Sequence, residues 1–339
     1  MVHTTTLGGS AKDVSIAKVG TGLMMLTWTP TPTPDEQAFE AIKAAIDAVP
    51  AGSKMLLNSS QFYAQDFSTA NLELLARFFD KHPGYADKVF LSVKGGTKPN
   101  SIVPDASPEG LRTSVELCVK ALRGTKKIDL FENARVTRET PLAKQYEVLK
   151  GLIDEGLIGH IGLSECSAAT VREVNEIVPV AAVEIEVSPW SYEEETKKVI
   201  ATCTELGIAV VAYSPLGRGF LTGEMPKLEE GDMRNRFTRF QGENYNNNFK
   251  LVEALKKVAE KKGITPAQLC LAWVQSLGER VIPIPGSSKA SRVIDNIKTS
   301  DIKFTSEELA EIDSILKEIP VSGSRYVDGV PNEVLHLWG

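Results

Sequence analysis

The chain is poor in the residues that would place it among metal, disulfide or membrane proteins. Its four cysteines, Cys118, Cys166, Cys203 and Cys270, are widely spaced and form no CxxC and no Cys/His ligand pattern. That argues against a zinc motif and a disulfide framework, and leads to the expectation of reduced, mostly buried thiols in a cytoplasmic protein. The four histidines, His3, His82, His160 and His336, form no ligand cluster, so no metal is expected. No apolar run reaches the roughly 20 residues of a membrane-spanning helix. The opening MVHTTTLGGS lacks the basic and apolar regions of a signal peptide. Positive charge is also in deficit: 38 Lys and Arg stand against 44 Asp and Glu, a net charge of −6 over 339 residues. An acidic chain gains nothing from counterion release, so nucleic acid is not an expected partner. A GxGxxG turn is missing as well; VGTGLM offers only Gly20 and Gly22.

What is present is an alternation. Short β-branched or apolar runs are KVGTGLMM from Lys18, KMLLN from Lys54, KVFLSVK from Lys88 and KIDLFEN from Lys127. LIGHIGLS from Leu157, AAVEIE from Ala181, IAVVAY from Ile208 and RVIPIP from Arg280 complete a set of eight. Between them lie stretches with helical periodicity, such as PDEQAFEAIKAAIDAV, with acids in its first turn, and PLAKQYEVLKGLIDEG, which closes on Gly156. Eight strand–helix units predict a single-domain (β/α)8 TIM barrel over residues 1–339. The rival doubly wound sheet would normally carry the glycine fingerprint that is absent. Two longer segments stand out: residues 215–247, expected to form a loop over the site, and the C-terminal tail 318–339.

In a barrel the chemistry gathers at the C-terminal ends of the strands. The second strand ends at Asn58, with Tyr63 five residues on; the third ends at Lys94, the fourth at Ala134. A tyrosine beside a lysine is an acid–base device, because the ammonium favours phenolate and lowers the tyrosine pKa. The fifth and sixth strands bring Ser164, Glu165, Glu184 and Glu186 to the same rim, and the seventh presents Tyr213. After the eighth, Ser287, Ser288, Lys289 and Arg292 crowd a helix start, where amides, hydroxyls and cations make a phosphate site.

AYSPLGRGFLTG, IGLSECS and IPIPGSSKASRVIDNI, in that setting, resemble the aldo-keto reductase superfamily along the whole chain. The resemblance implies a barrel that binds NADPH across its C-terminal face and transfers hydride to a carbonyl. It implies that Tyr63 donates the proton, Lys94 tunes it, and Asn58 occupies the third catalytic position. It assigns Ser164, Glu165 and Glu184 to the nicotinamide carboxamide, and Tyr213 to stacking on the ring. Ser214, Leu216 and Arg218 fall along the pyrophosphate, Ser287, Lys289 and Arg292 on the 2′-phosphate, and Asn296 on adenine. Trp28, Phe62, Ala134 and Trp190 are expected around a small aldehyde substrate.

The departures from the family pattern are specific. An aspartate position holds Asn58, a histidine position holds Ala134, and two amide positions hold Glu165 and Glu184. With the LF..AR run at Leu130–Arg135, these resemble the fungal pyridoxal reductases, which implies reduction of pyridoxal to pyridoxine. Two readings stand open for Glu132: it supplies to Lys94 the charge lost at Asn58, as Glu184 or Glu186 would also be placed to do, or it sits too deep and is bound to some other barrel residue. Three other readings compete: a general aromatic aldehyde reductase, a catalytically weak NADPH-binding regulatory or sensor subunit, and an aldolase that uses Lys94 as a Schiff base.

Overall fold

The computed structural model describes residues 2–224, 228, 232–326 and 335–339. The chain opens with an antiparallel hairpin, β1 (Thr4–Thr6) and β2 (Ser15–Ala17). Eight parallel strands follow: β3 (Thr21–Gly22), β4 (Met55–Ser60), β5 (Val89–Gly95), β6 (Ile128–Asn133), β7 (Ile158–Ser164), β8 (Val180–Glu186), β9 (Ala209–Tyr213) and β10 (Val281–Pro283). They pair in chain order, and a parallel bridge from Gly22 to Gly286 closes the ring beside β10. This is the expected (β/α)8 barrel.

Its first strand is only two residues long, against eight expected. A Cβ on Gly20 would stand 2.9 Å from Ile284 Cγ2, and one on Gly22 would stand 2.8 Å from Ile284 O. Glycine lets β3 approach β10 and seal the barrel, but it sustains little strand, and the chain enters a single helical turn, α1 (Met24–Thr27).

The outer layer consists of α2 (Asp35–Asp47), α3 (Ala70–Lys81), α4 (Pro108–Leu122), α5 (Leu142–Asp154), α6 (Ala168–Ile177), α7 (Glu194–Leu206), α8 (Gly242–Lys262), α9 (Pro266–Ser276), α10 (Ala290–Lys298) and α11 (Ser306–Glu318). The sequence reading omits α3, α9 and α11. Both α9 and α11 begin with a capping box, Thr265 with Gln268 and Thr305 with Glu308, which is a readable signal. α9 hides its amphipathic period because Leu269 to Val274 are all buried. The segment expected as an irregular loop over 215–247 contains 3₁₀ turns at Gly217–Thr222, Met233–Arg236 and Thr238–Phe240, and α8 already starts at Gly242. Residues 225–227 and 229–231 of that segment, and 327–334 of the tail, lie outside the described residues. Among the described residues no helix is long and apolar enough to cross a membrane.

Two apolar layers flank the sheet. Outward-facing Leu57, Leu91, Val93, Phe131, Val183 and Ile185 pack under the helices. Inward-facing Leu56, Phe90, Leu130, Ala182, Val211 and Ile282 meet Leu7, Ala11 and Ile16 of the hairpin segment, which seals the N-terminal mouth. The interior therefore has a dry floor, and its polar groups stand above it.

Candidate active site

Strand period carries the polar groups into the interior. Two residues above Leu56, Phe90, Leu130 and Ala182 come Asn58, Ser92, Glu132 and Glu184, all at most 2% exposed. Two further on come Lys94, Ala134 and Glu186. Glu132 and Ala134 thus share the barrel interior, as the pattern of β6 implies.

Lys94 is the hub of this layer. Its Nζ donates to Glu184 Oε1 (2.6 Å) and to Asn58 Oδ1 (3.0 Å), while Asn58 Nδ2 donates to Glu184 Oε2 (2.5 Å). Burial opposes the ammonium, but the Glu184 carboxylate, the largest opposing influence, helps hold the Lys94 pKa above its ordinary value. The carboxylate bonded to the lysine is therefore Glu184, reaching across from β8. Glu186 is turned elsewhere: it accepts from Ser191 Oγ (3.2 Å) and lies 3.7 Å from Arg218 Nη2.

Glu132 is adjacent to Lys94 in sheet register, yet its contact is different. Its Oε1 accepts from Ser92 Oγ (2.6 Å), and its Oε2 has no hydrogen-bond partner. Burial, and then the Glu184 carboxylate, push the Glu132 pKa up to about 8 against the pull of Lys94. At neutral pH Glu132 is thus a carboxylic acid, and of the two readings the structure bears out the second, a deep carboxyl bound to another barrel residue, Ser92. Gly162 on β7 makes room for it, since a Cβ there would stand 2.7 Å from Glu132 Cγ.

Tyr63 is held by a polar network that the sequence did not reveal. Ser59 Oγ donates to Asn71 Oδ1 (2.6 Å), Asn71 Nδ2 to Thr27 Oγ1 (2.7 Å), and Thr27 Oγ1 to the Tyr63 carbonyl (2.6 Å). α1 and α3 thereby fix the turn after β4. Lys94 Nζ lies 5.2 Å from the Tyr63 ring centre. Lys94 does pull the tyrosine pKa down, but burial is the larger effect and pushes it up to about 12. The expected lowering is overturned: burial outweighs Lys94, and at neutral pH Tyr63 keeps its proton.

Around Tyr63 stand Trp28 (ring centroids 5.9 Å apart), Phe62 (5.6 Å) and Ala134, the last 4% exposed. Phe67, which sequence reasoning missed, packs edge-on to Trp28 at 5.7 Å. Trp190 is not part of this group. It stacks on Phe220 at 4.4 Å, under the segment after β9.

At the rim, Ser164 ends β7 and Tyr213 ends β9, both inside the mouth. Glu165, Ser214 and Arg218 follow strand ends with φ of 52°, 48° and 56°, and such strained non-glycine residues gather where a site dictates the backbone. Two tail residues complete the wall, unannounced by any motif. Arg325 Nη2 pairs with Glu165 Oε2 (2.7 Å), and Tyr326 OH lies 2.8 Å from Tyr213 OH. Arg218 points inward, with its guanidinium 4.2 Å from the Phe237 ring. Leu216 packs against the outer core.

The opposite end of the mouth fits a phosphate-bearing cofactor. Lys289 and Arg292 are exposed at the start of α10 and have no ion pair among the described residues. Ser287 Oγ accepts from the Lys289 N–H (3.1 Å), which shapes the turn before the helix. Asn296 lies farther along α10. Free cations, amides and a hydroxyl at one helix start form the donor set that a 2′-phosphate requires.

The proton on Glu132 makes stability depend on pH. Unfolded, a glutamate ionises above its ordinary 4.5; folded, Glu132 keeps its proton to about 8. The folded state binds more protons in that window, so stability falls as pH rises through it and levels off above it. Glu132→Gln removes the titration. Its urea-unfolding midpoint relative to wild type should rise progressively between pH values of about 5 and 8; a constant difference would rule out the buried proton.

Comparison with known proteins supports one family. The model of the aldo/keto reductase family matches residues 18–317. A Schizosaccharomyces pombe protein named probable pyridoxal reductase 2 is 38% identical over 319 residues, 92% of this chain and 95% of that one. The aldo-keto reductase yakc of the same organism, whose name specifies NADP(+), is 36% identical over 274 residues, 78% of this chain and 80% of its own. Among solved structures, the glycerol dehydrogenase of Gluconobacter oxydans superposes with a TM-score of 0.78 at 22% identity, over 96% of this chain and 98% of that one; at that identity it speaks for the fold alone. The barrel, the Tyr63–Lys94 pair at its mouth and these matches lead to one assignment: the chain belongs to the aldo/keto reductase family.

Proposed function

We propose that the protein reduces an aldehyde to the alcohol with NADPH, and that its substrate is pyridoxal. The observation that carries the reading is Ala134. It stands beside Tyr63, Phe62 and Trp28 at the position where the family pattern has histidine. A methyl there leaves space for an aromatic ring but supplies no group to polarise the carbonyl. Pyridoxal carries a hydroxyl ortho to its aldehyde, which can hydrogen-bond the carbonyl oxygen and supply that help itself. The relative named for pyridoxal reduction supports the same substrate.

Bound NADPH supplies the hydride to the carbonyl carbon. Ser164, Tyr213 and the turn from Ser214 to Arg218 would hold its nicotinamide half, and Ser287, Lys289, Arg292 and Asn296 its adenosine phosphate. Glu165 and Glu184, whose positions suggest the carboxamide, are tied to Arg325 and Lys94 in this structure. Tyr63 gives its proton to the carbonyl oxygen as the alcohol forms. The phenolate left behind lies beside the Lys94 ammonium, which stabilises it, and Glu184 with Asn58 keeps that ammonium charged and aimed. Solvent then returns the proton to Tyr63. The intact lysine pair favours this reading over a non-catalytic NADPH-binding subunit. It also argues against the aldolase, because Schiff-base chemistry needs a neutral amine and Lys94 is held protonated.

NADPH consumption with pyridoxal is the direct test, followed by single-turnover comparison with the 3-O-methyl analogue, which cannot donate to its carbonyl. Pyridoxal should react faster, by less than the ~10²–10³ typical of losing an oxyanion donor, because the internal bond is weaker and Tyr63 remains. Equal rates would sink the role given to Ala134. Tyr63→Phe should bind NADPH normally and lose roughly 10²-fold or more of the rate of reduction.

The cofactor preference has its own test. Arg292→Ala should weaken NADPH binding on the order of tenfold through loss of a charge-assisted contact, while NADH binding stays the same. Fluorescence titration with both cofactors would show it; equal losses would remove Arg292 from the phosphate clamp.

A further inference from the structure

Arg135 follows Ala134 at the end of β6 and is half-buried. Its Nη1 donates to the Ala134 carbonyl (2.6 Å), its Nε to the Leu335 carbonyl (3.2 Å) and its Nη2 to Tyr326 OH (3.4 Å). All three acceptors are neutral, and two of the bonds are long. Among the described residues Arg135 has no carboxylate partner. The other arginines of this rim are compensated: Arg325 by Glu165 at 2.7 Å, Arg239 by Glu193 at 3.2 Å and Arg218 by Glu186 at 3.7 Å. Burial opposes the Arg135 charge, yet Tyr326, Glu165 and Tyr213 outweigh burial and Arg325 and hold its pKa above the ordinary value, while the Glu165 carboxylate itself is bonded by Arg325. A charge taken partly out of water without a counter-group is costly. Such a group has a use where a ligand completes it.

The position says which ligand atom. On one side Arg135 is bonded to Ala134, whose methyl packs with Phe62 and Tyr63. On the other it meets Tyr326, which is bonded to Tyr213. The guanidinium therefore lies between the Ala134 backbone carbonyl and the Tyr326–Tyr213 pair at the rim. We propose that Arg135 is a specificity-determining residue that donates a hydrogen bond to the oxygen ortho to the aldehyde of the substrate. The inference rests on the pyridoxal reading and deepens it. A hydroxyl that accepts from a guanidinium becomes a stronger donor to the neighbouring carbonyl, because successive hydrogen bonds polarise one another. Arg135 and the substrate hydroxyl would together provide the polarisation that a histidine at position 134 would have given. The substrate class is then the ortho-hydroxy aromatic aldehydes. An aldehyde without that oxygen leaves the arginine without the ligand acceptor, and a site built to hydrogen-bond a substrate oxygen discriminates against the analogue that lacks it.

The test is a specificity ratio: kcat/KM for pyridoxal over 3-deoxypyridoxal, in the wild type, Arg135→Gln and Arg135→Lys, with NADPH affinity followed by fluorescence titration. Wild type should favour pyridoxal by about 10²-fold or more, Arg135→Gln should bring the ratio to within about threefold of unity, and Arg135→Lys should recover part of it. An unchanged ratio with both substrates slowed alike would make Arg135 an anchor for the tail and overturn the proposal. So would a loss confined to pyridoxal 5′-phosphate, which would mark Arg135 as a reader of phosphate. If the wild type reduces no pyridoxal, the function proposed above has failed. Salicylaldehyde over benzaldehyde then asks the same question of Arg135 independently, and a ratio indifferent to Arg135→Gln would reject the inference alone.

Discussion

The site depends on the ion pair between Lys94 and Glu184. Two charges are held there inside a barrel, away from water, where desolvation of each is expensive and often exceeds the attraction between them. The arrangement persists because the remaining polar atoms are met: Asn58 accepts from Lys94 and donates to Glu184, so one amide bonds both charged partners. Compared with the family pattern, a carboxylate has left one strand and appeared on another. β4 carries an amide where an acid is expected, and β8 an acid where an amide is expected. The exchange conserves one acid and one amide around the lysine. The ammonium that Tyr63 needs is still kept charged, now from the far side of the barrel.

The same dry interior governs the other titrating groups. The floor formed by Leu56, Phe90, Leu130 and the hairpin residue Leu7 excludes water from below, and the aromatic cluster around Tyr63 limits it from above. In such surroundings a second carboxylate beside Glu184 cannot ionise readily, so Glu132 keeps a proton that a surface glutamate would have lost. Tyr63 is pushed the same way, and its neutral form suits donation to a carbonyl. One physical condition, a low-dielectric pocket with a single compensated charge pair, thus sets the protonation state of both an acid and a phenol.

How far this was legible in the sequence follows from what a strand pattern contains. Period two says which side a residue faces, and it places Asn58, Lys94, Glu132, Ala134 and Glu184 in one interior. It does not say how far a side chain reaches across the barrel. Glu132 is the register neighbour of Lys94, yet Ser92 takes one of its oxygens, while Glu184 spans the interior to the ammonium. The network that holds Tyr63 was equally hidden, because Asn71 and Thr27 come together only when α1 and α3 dock. Trp190 reads as a substrate wall by its place after β8, but the segment after β9 folds over it and makes it core. β3 is shorter than its apolar run suggests because its glycines serve closure and not extension.

The rim adds a constraint that only the assembled fold reveals. Glu165 and Glu186 are both at most 1% exposed and would be two uncompensated buried charges on the barrel alone. Arg325 from the tail bonds Glu165 and lies 3.9 Å from Glu186, while Arg218, from the turn after β9, lies 3.7 Å from Glu186. The Arg325 guanidinium is packed on Tyr326 and Trp338, with ring centres 5.2 and 5.0 Å away, so the tail is held by aromatic faces as well as by charge. Removing Arg325 would expose the cost of the carboxylates it answers, which ties the position of the tail to the chemistry of the strands. The carboxylates at the ends of β7 and β8 and the arginines beyond the strands are therefore one feature. A barrel that places acids at its mouth requires cations from its own long segments, and that requirement brings Tyr326 against Tyr213 and near Arg135.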